Sequence, residues 1–370
     1  MKHEVWLTSM SASCAAGLTI EDIYTKLLSG STAISMQDKY IDNMIVPLGK
    51  IPSQIDFYEL IYQNVATALS KISEFDCSDT LVLIGSSVGG MGRAERSYFT
   101  YHDCTHTSIE ELAIGSIGKN LKNKFGFKDA ISFSTACTSS SMAIDFAFDL
   151  IRFGKAKNVV VVGADELSRS AVNGFWRLGI GSTNITRPFD EYRDGINVGE
   201  GIGVIVLSNT PNEHKIAILG CGTTSDAYNI THPHPEGKGA LGAMKQALQK
   251  ASLEPNDIDY INAHGTGTVA NDETEGMAIE KIFGNRPLVS STKSVTGHTL
   301  GACGTLEIAI CAMSIIHGTI PPSIGISNPI SHDINLALKP IKSNPKFVLS
   351  NAFGFGGGNV SIILGKIDVD

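Results

Sequence analysis

Residues 131–140, Ile-Ser-Phe-Ser-Thr-Ala-Cys-Thr-Ser-Ser, decide how this sequence folds. Residues 131–133 have the apolar pattern of a short strand, and a helical pattern follows over 139–153. Cys137 therefore lies in a strand-to-helix turn, where the helix dipole and free backbone N–H groups favour a thiolate. Such a thiolate among small residues is a candidate nucleophile for acyl transfer; the alternative is a buried, inert cysteine.

The rest of the chain alternates in the same way between short apolar runs and helical patterns. Further strands are predicted at 5–7, 81–84, 159–162, 202–207, 216–219, 258–261, 288–289 and 360–364. Further helices are predicted at 20–28, 57–72, 239–251 and 304–316. This alternation predicts an α/β fold whose sheets are covered by helices. A polar, turn-rich stretch at 210–213 suggests a division into two similar halves, 1–210 and 211–370.

Composition narrows the class of protein. The chain has 370 residues and is 42% hydrophobic, a composition typical of globular proteins. Its formal net charge of −8 argues against a surface that binds nucleic acid. Its seven cysteines form no Cys-x-x-Cys pair. The sequence has no signal peptide pattern, and its most apolar run, 308–316, is interpreted as a buried helix. We therefore expect a cytoplasmic protein with reduced thiols that does not bind membranes.

Two histidines stand in motifs that a polar ligand could reach. His264 lies in Asn-Ala-His-Gly-Thr-Gly-Thr, 262–268, just after a predicted strand. Its glycines allow close backbone approach, and its threonines offer hydroxyl groups; the alternative is a turn histidine that caps the next helix. His298 ends Ser-Thr-Lys-Ser-Val-Thr-Gly-His, 291–298, before another helix. Near a helix N-terminus its pKa should be lowered, which leaves a neutral imidazole able to donate a hydrogen bond.

Other residues near these motifs carry weaker signals. Lys293 would need a partner if it is buried, and Glu275 is a candidate for a structural ion pair. The segment 351–359, Asn-Ala-Phe-Gly-Phe-Gly-Gly-Gly-Asn, could move and point N–H groups at a ligand, or could be a tight turn with two core phenylalanines. His232 and His234 could bind zinc, but neighbouring prolines and the lack of a third ligand favour a rigid turn, so no metal is expected.

The ordered motifs resemble those of the elongating β-ketoacyl-[acyl carrier protein] synthases. Besides the four segments quoted above, the resemblance rests on Arg-Pro-Phe-Asp at 187–190, Arg-Asp-Gly at 193–195, Gly-Glu-Gly at 199–201 and Ser-Asp-Ala-Tyr at 225–228. It extends from about Val5 to Leu364. It implies the thiolase fold, with two βαβαβαββ-like halves in five αβαβα layers, and a homodimer or a heterodimer with a related ketosynthase or chain-length factor.

The resemblance also implies roles for individual residues. Cys137 resembles the nucleophile that carries the acyl chain, and His264 and His298 resemble the pair that assists malonyl decarboxylation. Lys293 and Glu275 resemble a supporting ion pair. The N–H groups of Cys137 and Phe355 resemble the oxyanion hole. Phe355, with Phe353 beside it, resembles the gate of the acyl pocket. Thr266, Thr268 and Thr231 resemble contacts to a phosphopantetheine arm. Val88 resembles the residue at the floor of the pocket.

The implied reaction is decarboxylative condensation of an acyl thioester with malonyl-[acyl carrier protein]. It would serve fatty acid, polyene or polyketide synthesis, with no bound cofactor beyond the phosphopantetheine arm of the carrier. One alternative is a non-catalytic chain-length partner of another ketosynthase, which the intact cysteine and histidines disfavour. A thiolase is the other alternative, but thiolases carry a second cysteine near the C-terminal glycine turn, and none stands there in this chain.

Overall fold

The computed structural model describes residues 2–102 and 109–367, in which helices and strands alternate along the chain. The strands are β1 Val5–Cys14, β2 Ser35–Ile41, β3 Met44–Leu48, β4 Leu81–Gly85, β5 Asp129–Phe133, β6 Asn158–Asp165, β7 Gly201–Ser208, β8 Ile216–Ser225, β9 Tyr260–Asn262, β10 Leu288–Ser290, β11 Thr319–Ile320, β12 Asn335–Leu336, β13 Ile341–Lys342, β14 Phe347–Phe353 and β15 Gly358–Lys366. The helices are α1 Ile20–Leu28, α2 Phe57–Ser70, α3 Met91–Tyr101, α4 Ile109–Leu112, α5 Gly115–Phe125, α6 Ser139–Arg152, α7 Arg169–Arg177, α8 Lys238–Ala251, α9 Val269–Phe283, α10 Lys293–Thr296 and α11 Cys303–His317.

The main sheet repeats one topology twice. Its order is β12-β10-β9-β14-β15-β8-β1-β7-β6-β4-β5. In the first set β1 and β6 both pair antiparallel with β7, and β6, β4 and β5 are parallel. In the second set β8 and β14 both pair antiparallel with β15, and β14, β9 and β10 are parallel. The two sets meet through a short β1–β8 pairing, and the predicted division at 210 falls in the connection between β7 and β8.

Helices α6 and α11 lie in the middle of the protein. Each contacts strands of both sets, and the largest apolar cluster combines their side chains with those of both sets of strands. They approach closely because small residues meet: a Cβ on Gly304 would lie 2.3 Å from Ser141 Oγ. Helices α2 and α5 cover the outer face of the first set, and α8 and α9 cover that of the second. The result is the predicted order of five layers, αβαβα, with α6 and α11 delivering their N-termini to one place.

Most of the predicted elements begin and end within two residues of the observed positions, but β1, β6 and β8 extend three or more residues past their predicted ends. Helix α1 matches its prediction, 20–28, and α11 extends the predicted 304–316 by one residue at each end. Several elements were not predicted: strands β2, β3 and β11 to β14, and helices α3, α4, α5, α7 and α10. The six cysteines in the described part of the chain are free.

One described stretch, Leu300–His317, is long and apolar enough by composition to span a membrane. It is 89% buried inside the protein, because it contains α11, which packs between the two sets of strands. The prediction that this apolar run is a buried helix is therefore confirmed.

Candidate active site

Cys137 occupies a strained turn between β5 and α6. Ala136, just before it, has a φ of 54°, in the left-handed region that residues other than glycine rarely adopt. Side-chain hydrogen bonds hold this turn: Thr138 Oγ1 donates to Thr135 O at 2.7 Å and Ser139 Oγ donates to Ala136 O at 2.6 Å. The turn thus fixes the sulfur one residue before the N-cap of α6, as the sequence indicates.

The sulfur of Cys137 is buried among hydrogen-bond donors. The residue is 6% exposed, and the backbone N–H groups of Phe355 and of Cys137 itself act on the thiol. Burial raises the pKa of this thiol to about 11, while Lys293 and the two N–H groups oppose the rise. The expectation of a resting thiolate is therefore wrong for this state, because desolvation outweighs the helix start. The donors would act when negative charge develops on or beside the sulfur.

His298 lies directly against the nucleophile. Its Nε2 is 3.1 Å from Cys137 Sγ, and its Nδ1 is 3.1 Å from the sulfur of Cys303 and accepts the N–H of Leu300 at 3.2 Å. The ring is buried, and desolvation, helped by the positive charge of Lys293, holds its pKa well below 6.5. The predicted neutral imidazole is thus supported, and the causes found for the lowered pKa are burial and then the charge of Lys293.

His264 faces His298 edge to face. The ring centroids lie 5.3 Å apart at 84°, and one ligand atom from each of Cys137, His264 and His298 lies within 4.8 Å of the others. Burial, Lys293 and His298 lower the pKa of His264 well below its ordinary value. The ring of Phe353 packs against His264 at 5.9 Å. Two neutral imidazoles and one thiol therefore share a single buried site.

The predicted partner of Lys293 is wrong. Lys293 Nζ donates to Glu307 Oε1 at 2.5 Å, and both side chains are buried. Burial alone would lower the pKa of Lys293, but the Glu307 carboxylate raises it, so the ammonium stays charged. Glu307 is a lone acid in the apolar helix α11, a signal that could have identified it.

Glu275 instead holds the backbone of the His264 loop. Its oxygens accept the N–H groups of His264 and Gly265, each at 2.8 Å, and the side-chain amide of Asn351 at 3.1 Å. Burial raises the pKa of this carboxyl to about 7. Its position on α9 and its contact with β14 tie the histidine loop to the strand that leads into the glycine-rich loop. Glu275 thus orders the site without touching Lys293.

A cavity of about 70 Å³ opens onto the sulfur. Its lining includes the three predicted threonines and both phenylalanines: Thr231, Thr266, Thr268, Phe353 and Phe355. The ring of Phe355 packs against Phe175, with centroids 5.9 Å apart. Gly354 permits this loop to approach the nucleophile, because a Cβ there would lie 3.3 Å from the nitrogen of Cys137.

Val88 is not part of the lining of this cavity, which corrects the expectation that it forms the floor. It packs against an apolar cluster that contains Ile196 and Phe175, two residues that do line the cavity. Val88 therefore lies behind the wall. Its N–H is held by Asp165, a buried carboxylate at the end of β6 that also accepts the N–H of Gly301 at 2.7 Å.

Three residues of the site escaped the sequence analysis: Asp165, Cys303 and Glu307. Asp165 links the 86–88 loop to the start of α11. Cys303 contacts the far nitrogen of His298. The two histidines weighed as zinc ligands make local contacts instead: His232 Nδ1 pairs with the Thr231 hydroxyl, and His234 Nδ1 accepts the N–H of Glu236.

The site is equipped for acyl transfer through a thioester. A thiol is the nucleophile, two N–H groups converge beside it, and two neutral imidazoles can donate to an oxygen that gains negative charge. Burial, assisted by the ammonium of Lys293, lowers the pKa of both imidazoles and keeps them neutral, and Lys293 does not line the cavity.

Comparisons with known proteins agree with this site. The family model described as the beta-ketoacyl synthase N-terminal domain matches residues 52–212, and the one for the C-terminal domain matches 216–327. A 3-oxoacyl-[acyl-carrier-protein] synthase 2 from Coxiella burnetii is 31% identical, with 99% of each chain covered.

Solved structures show the same fold. A chain of the complex between the ketosynthase ApeO and its chain length factor ApeC from Xenorhabdus doucetiae is 30% identical, with a TM-score of 0.90 and 99% and 98% of the two chains covered. A beta-ketoacyl synthase from Burkholderia phymatum is 28% identical, with a TM-score of 0.90 and both chains fully covered.

The layered fold and the buried Cys/His/His site define a cysteine-dependent acyltransferase. The family models together cover most of the chain, and the Coxiella relative covers nearly all of it. The chain belongs to the β-ketoacyl synthase family and has the thiolase fold of that family.

Proposed function

We propose that this enzyme condenses an acyl thioester on Cys137 with malonyl-[acyl carrier protein], releasing CO2 and β-ketoacyl-[acyl carrier protein]. The observation that carries the proposal is the pairing of His298 Nε2 with Cys137 Sγ at 3.1 Å, with the His264 ring beside both. The names of the relatives that the chain matches describe the same synthase activity.

In the first step the sulfur of Cys137 attacks the carbonyl carbon of an acyl thioester. The S–C bond to Cys137 forms, the carrier's C–S bond breaks, and the thiol proton passes to the departing carrier thiolate. The tetrahedral oxyanion is stabilised by the N–H groups of Cys137 and Phe355, which already point towards the sulfur.

In the second step the malonyl carboxylate leaves as CO2, and its electron pair forms an enolate at the thioester carbonyl. His264 and His298, kept neutral by burial, donate hydrogen bonds to the enolate oxygen. The enolate carbon attacks the acyl carbonyl, the bond to Cys137 breaks, and one proton returns the sulfur to a thiol. Acyl-enzyme, malonyl thioester and one proton thus yield β-ketoacyl thioester, CO2 and free enzyme.

Phe355 is proposed to gate the acyl pocket. The cavity beside the sulfur is lined by the rings of Phe353 and Phe355. The Phe355 ring closes it against Phe175. A longer chain is accommodated when Phe355 moves and opens space towards the cluster that holds Val88.

The threonines at the cavity mouth are proposed to contact the phosphopantetheine arm of the carrier. Thr266 Oγ1 and Thr268 Oγ1 lie 2.9 Å apart, and Thr231 also lines the cavity. Hydroxyl pairs of this kind suit the amide groups of such an arm. We expect no other bound cofactor.

We propose that the protein works as a dimer, with itself or with a chain-length factor, and docks an acyl carrier protein. The ApeO–ApeC complex is a ketosynthase with its chain length factor, and strand β5 here is an edge strand with Ile131 exposed. The enclosed helix α11 supports a soluble protein, and we place it in the cytoplasm.

The two alternatives have less support. A non-catalytic chain-length partner would not need a nucleophile held at 3.1 Å from a neutral imidazole. A thiolase would need a second thiol beside the first, whereas Cys303 contacts the opposite nitrogen of His298.

Intact mass spectrometry after incubation with a panel of acyl carrier thioesters tests the proposal. Wild type should gain the mass of each accepted acyl group, and Cys137→Ala should gain none. Adding malonyl-[acyl carrier protein] should discharge the acyl group with release of CO2. A fully loaded enzyme that releases no CO2 would contradict the condensing role.

A further inference from the structure

The thiol of Cys303 lies behind the catalytic imidazole, and the reaction proposed above does not use it. Cys303 is the first residue of α11 and is 1% exposed. Its sulfur is 3.1 Å from Nδ1 of His298, the nitrogen that faces away from Cys137. A buried thiol this close to a catalytic ring must either donate to it or accept from it.

The neighbouring contacts show which of the two groups, the thiol of Cys303 or Nδ1 of His298, donates the hydrogen bond. The backbone N–H of Leu300 also points at His298 Nδ1, at 3.2 Å, and an N–H can only donate. Nδ1 of the neutral ring is therefore unprotonated and acts as an acceptor. The hydroxyl of Thr299 donates to the sulfur of Cys303 at 3.4 Å, which leaves the S–H free to point at the imidazole.

The thiol stays protonated in this environment. Burial raises the pKa of Cys303 above its ordinary value, and Glu307 acts in the same direction against the opposing effect of Lys293. The S–H is therefore available as a donor at neutral pH. Two donors on Nδ1 require the ring proton to sit on Nε2, the nitrogen 3.1 Å from Cys137 Sγ.

We propose that Cys303 is a positioning residue that, together with the Leu300 N–H, holds His298 in the Nε2–H tautomer and fixes its ring orientation. This inference rests on the condensing function proposed above, because only that tautomer presents a donor to the enolate oxygen. Leu300 has a φ of 52°, so its N–H is held in a strained turn. The thiol of Cys303 is the second donor to Nδ1, and it further limits rotation of the His298 ring.

Two substitutions separate the hydrogen bond from packing. Cys303→Ala removes the donor, and Cys303→Ser keeps one. Cys311→Ala is the matched control, because it removes another buried thiol from the same helix without contacting His298. Thermal unfolding of all three shows which variants remain folded.

The tautomer can be measured apart from activity. Protein labelled with 15N-histidine is observed by NMR, and the His298 signals are assigned by their loss in His298→Gln. Wild type, Cys303→Ser and Cys311→Ala should show an unprotonated Nδ1 and a protonated Nε2, whereas Cys303→Ala should show a mixture or averaged shifts. An Nδ1–H signal in wild type, or an unchanged spectrum in Cys303→Ala, overturns the proposal.

Activity gives a second readout. Cys303→Ala should lower malonyl decarboxylation about 3- to 10-fold, the equivalent of about one hydrogen bond, with acyl loading reduced less than twofold. Cys303→Ser should recover most of this loss, and equal losses in the two variants would point to packing alone and overturn the proposal. If wild type decarboxylates no malonyl thioester, the proposed function fails while the NMR result still decides the role of Cys303.

Discussion

Lys293 Nζ lies 2.5 Å from Glu307 Oε1, and this buried ion pair joins helix α10, which leads to His298, to helix α11. The second oxygen of Glu307 is buried without a hydrogen-bond partner. The ion pair is therefore held by the single hydrogen bond between Lys293 Nζ and Glu307 Oε1. Its positive member also adds to the effect of burial in lowering the pKa of the two catalytic imidazoles, so the pair contributes to both stability and chemistry.

Breaking this pair from one side should be costly. We expect Glu307→Gln to lower the free energy of unfolding by about 3–5 kcal/mol, because a buried ammonium loses its counter-ion. The double variant Lys293→Met with Glu307→Leu should recover much of that stability but not decarboxylation. Denaturant unfolding and CO2 release measure the two effects. A single variant as stable as wild type would show that the pair is not needed.

The thiol of Cys137 should behave as a thiol and not as a thiolate at neutral pH. Because burial raises its pKa to about 11, the rate of alkylation by iodoacetamide should keep rising through pH 9 and 10. Cys137→Ala should abolish both alkylation at this site and condensation while the protein stays folded. A rate that levels off near pH 7 would show that the helix start, and not burial, controls the sulfur.

His298 should matter more for decarboxylation than for loading. We expect His298→Ala to lower CO2 release from malonyl thioester by about 100-fold or more, within the range for lost oxyanion donors, and acyl loading far less. In wild type the imidazole pKa lies well below 6.5, so decarboxylation should not halve as the pH falls from 8 to 6.5. The two half-reactions are assayed separately, and equal losses in both would refute this division of roles.

Glu275 should make stability fall as the pH rises. Its pKa is about 7 in the folded protein and 4.5 as an ordinary glutamate, so the folded state binds the proton more tightly. The stabilisation that comes from this proton is complete below about pH 4.5 and is lost as the pH rises through about 7, amounting to about 3 kcal/mol. Glu275→Gln should lack this slope. Its unfolding free energy is compared with that of wild type from pH 5 to 8, and parallel curves would contradict the assignment.

The sequence was enough to locate the site but not to define the contacts beneath it. Cys137, His264 and His298 stand in local motifs after strands, and the fold brings strand ends of both halves together. Glu307 could not be paired with Lys293 from sequence alone. A shift of one helical turn, or of one residue in strand register, would bring a different buried acid within reach of the Lys293 ammonium. The wrong placement of Val88 at the pocket floor has the same cause, because Val88 lies behind the cavity wall and only the packed structure shows this.

The pKa of Cys137 depends on a property that local sequence does not contain. A helix start is visible in the sequence, but the degree of burial around the sulfur is a property of the assembled core. Phe355, Phe353 and Gly354 come from the far end of the chain and lie beside Cys137 in the wall of the cavity. Local sequence therefore predicts the helix start beside the sulfur, whereas the packed structure brings in the N–H of Phe355 and determines how far burial raises the pKa of Cys137.

The final prediction concerns Phe355, whose ring and backbone have separate roles. The ring packs against Phe175 and closes the acyl pocket, while the N–H points at the sulfur of Cys137. Phe355→Ala removes the ring and keeps the N–H. We therefore expect the variant to discriminate poorly between acyl groups for loading and malonyl groups for extension, with the alkylation rate of Cys137 changed less than about threefold, since the donor to the sulfur survives.

The two roles are measured in the same preparation. Competition between acyl and malonyl carrier thioesters gives the ratio of their use, and iodoacetamide gives the reactivity of the thiol. Phe175→Ala is the matched control, because it removes the other half of the ring contact without altering the loop that carries the N–H. It should disturb the ratio in the same direction. If alkylation collapses in Phe355→Ala while the ratio holds, the ring supports the nucleophile and does not gate the pocket.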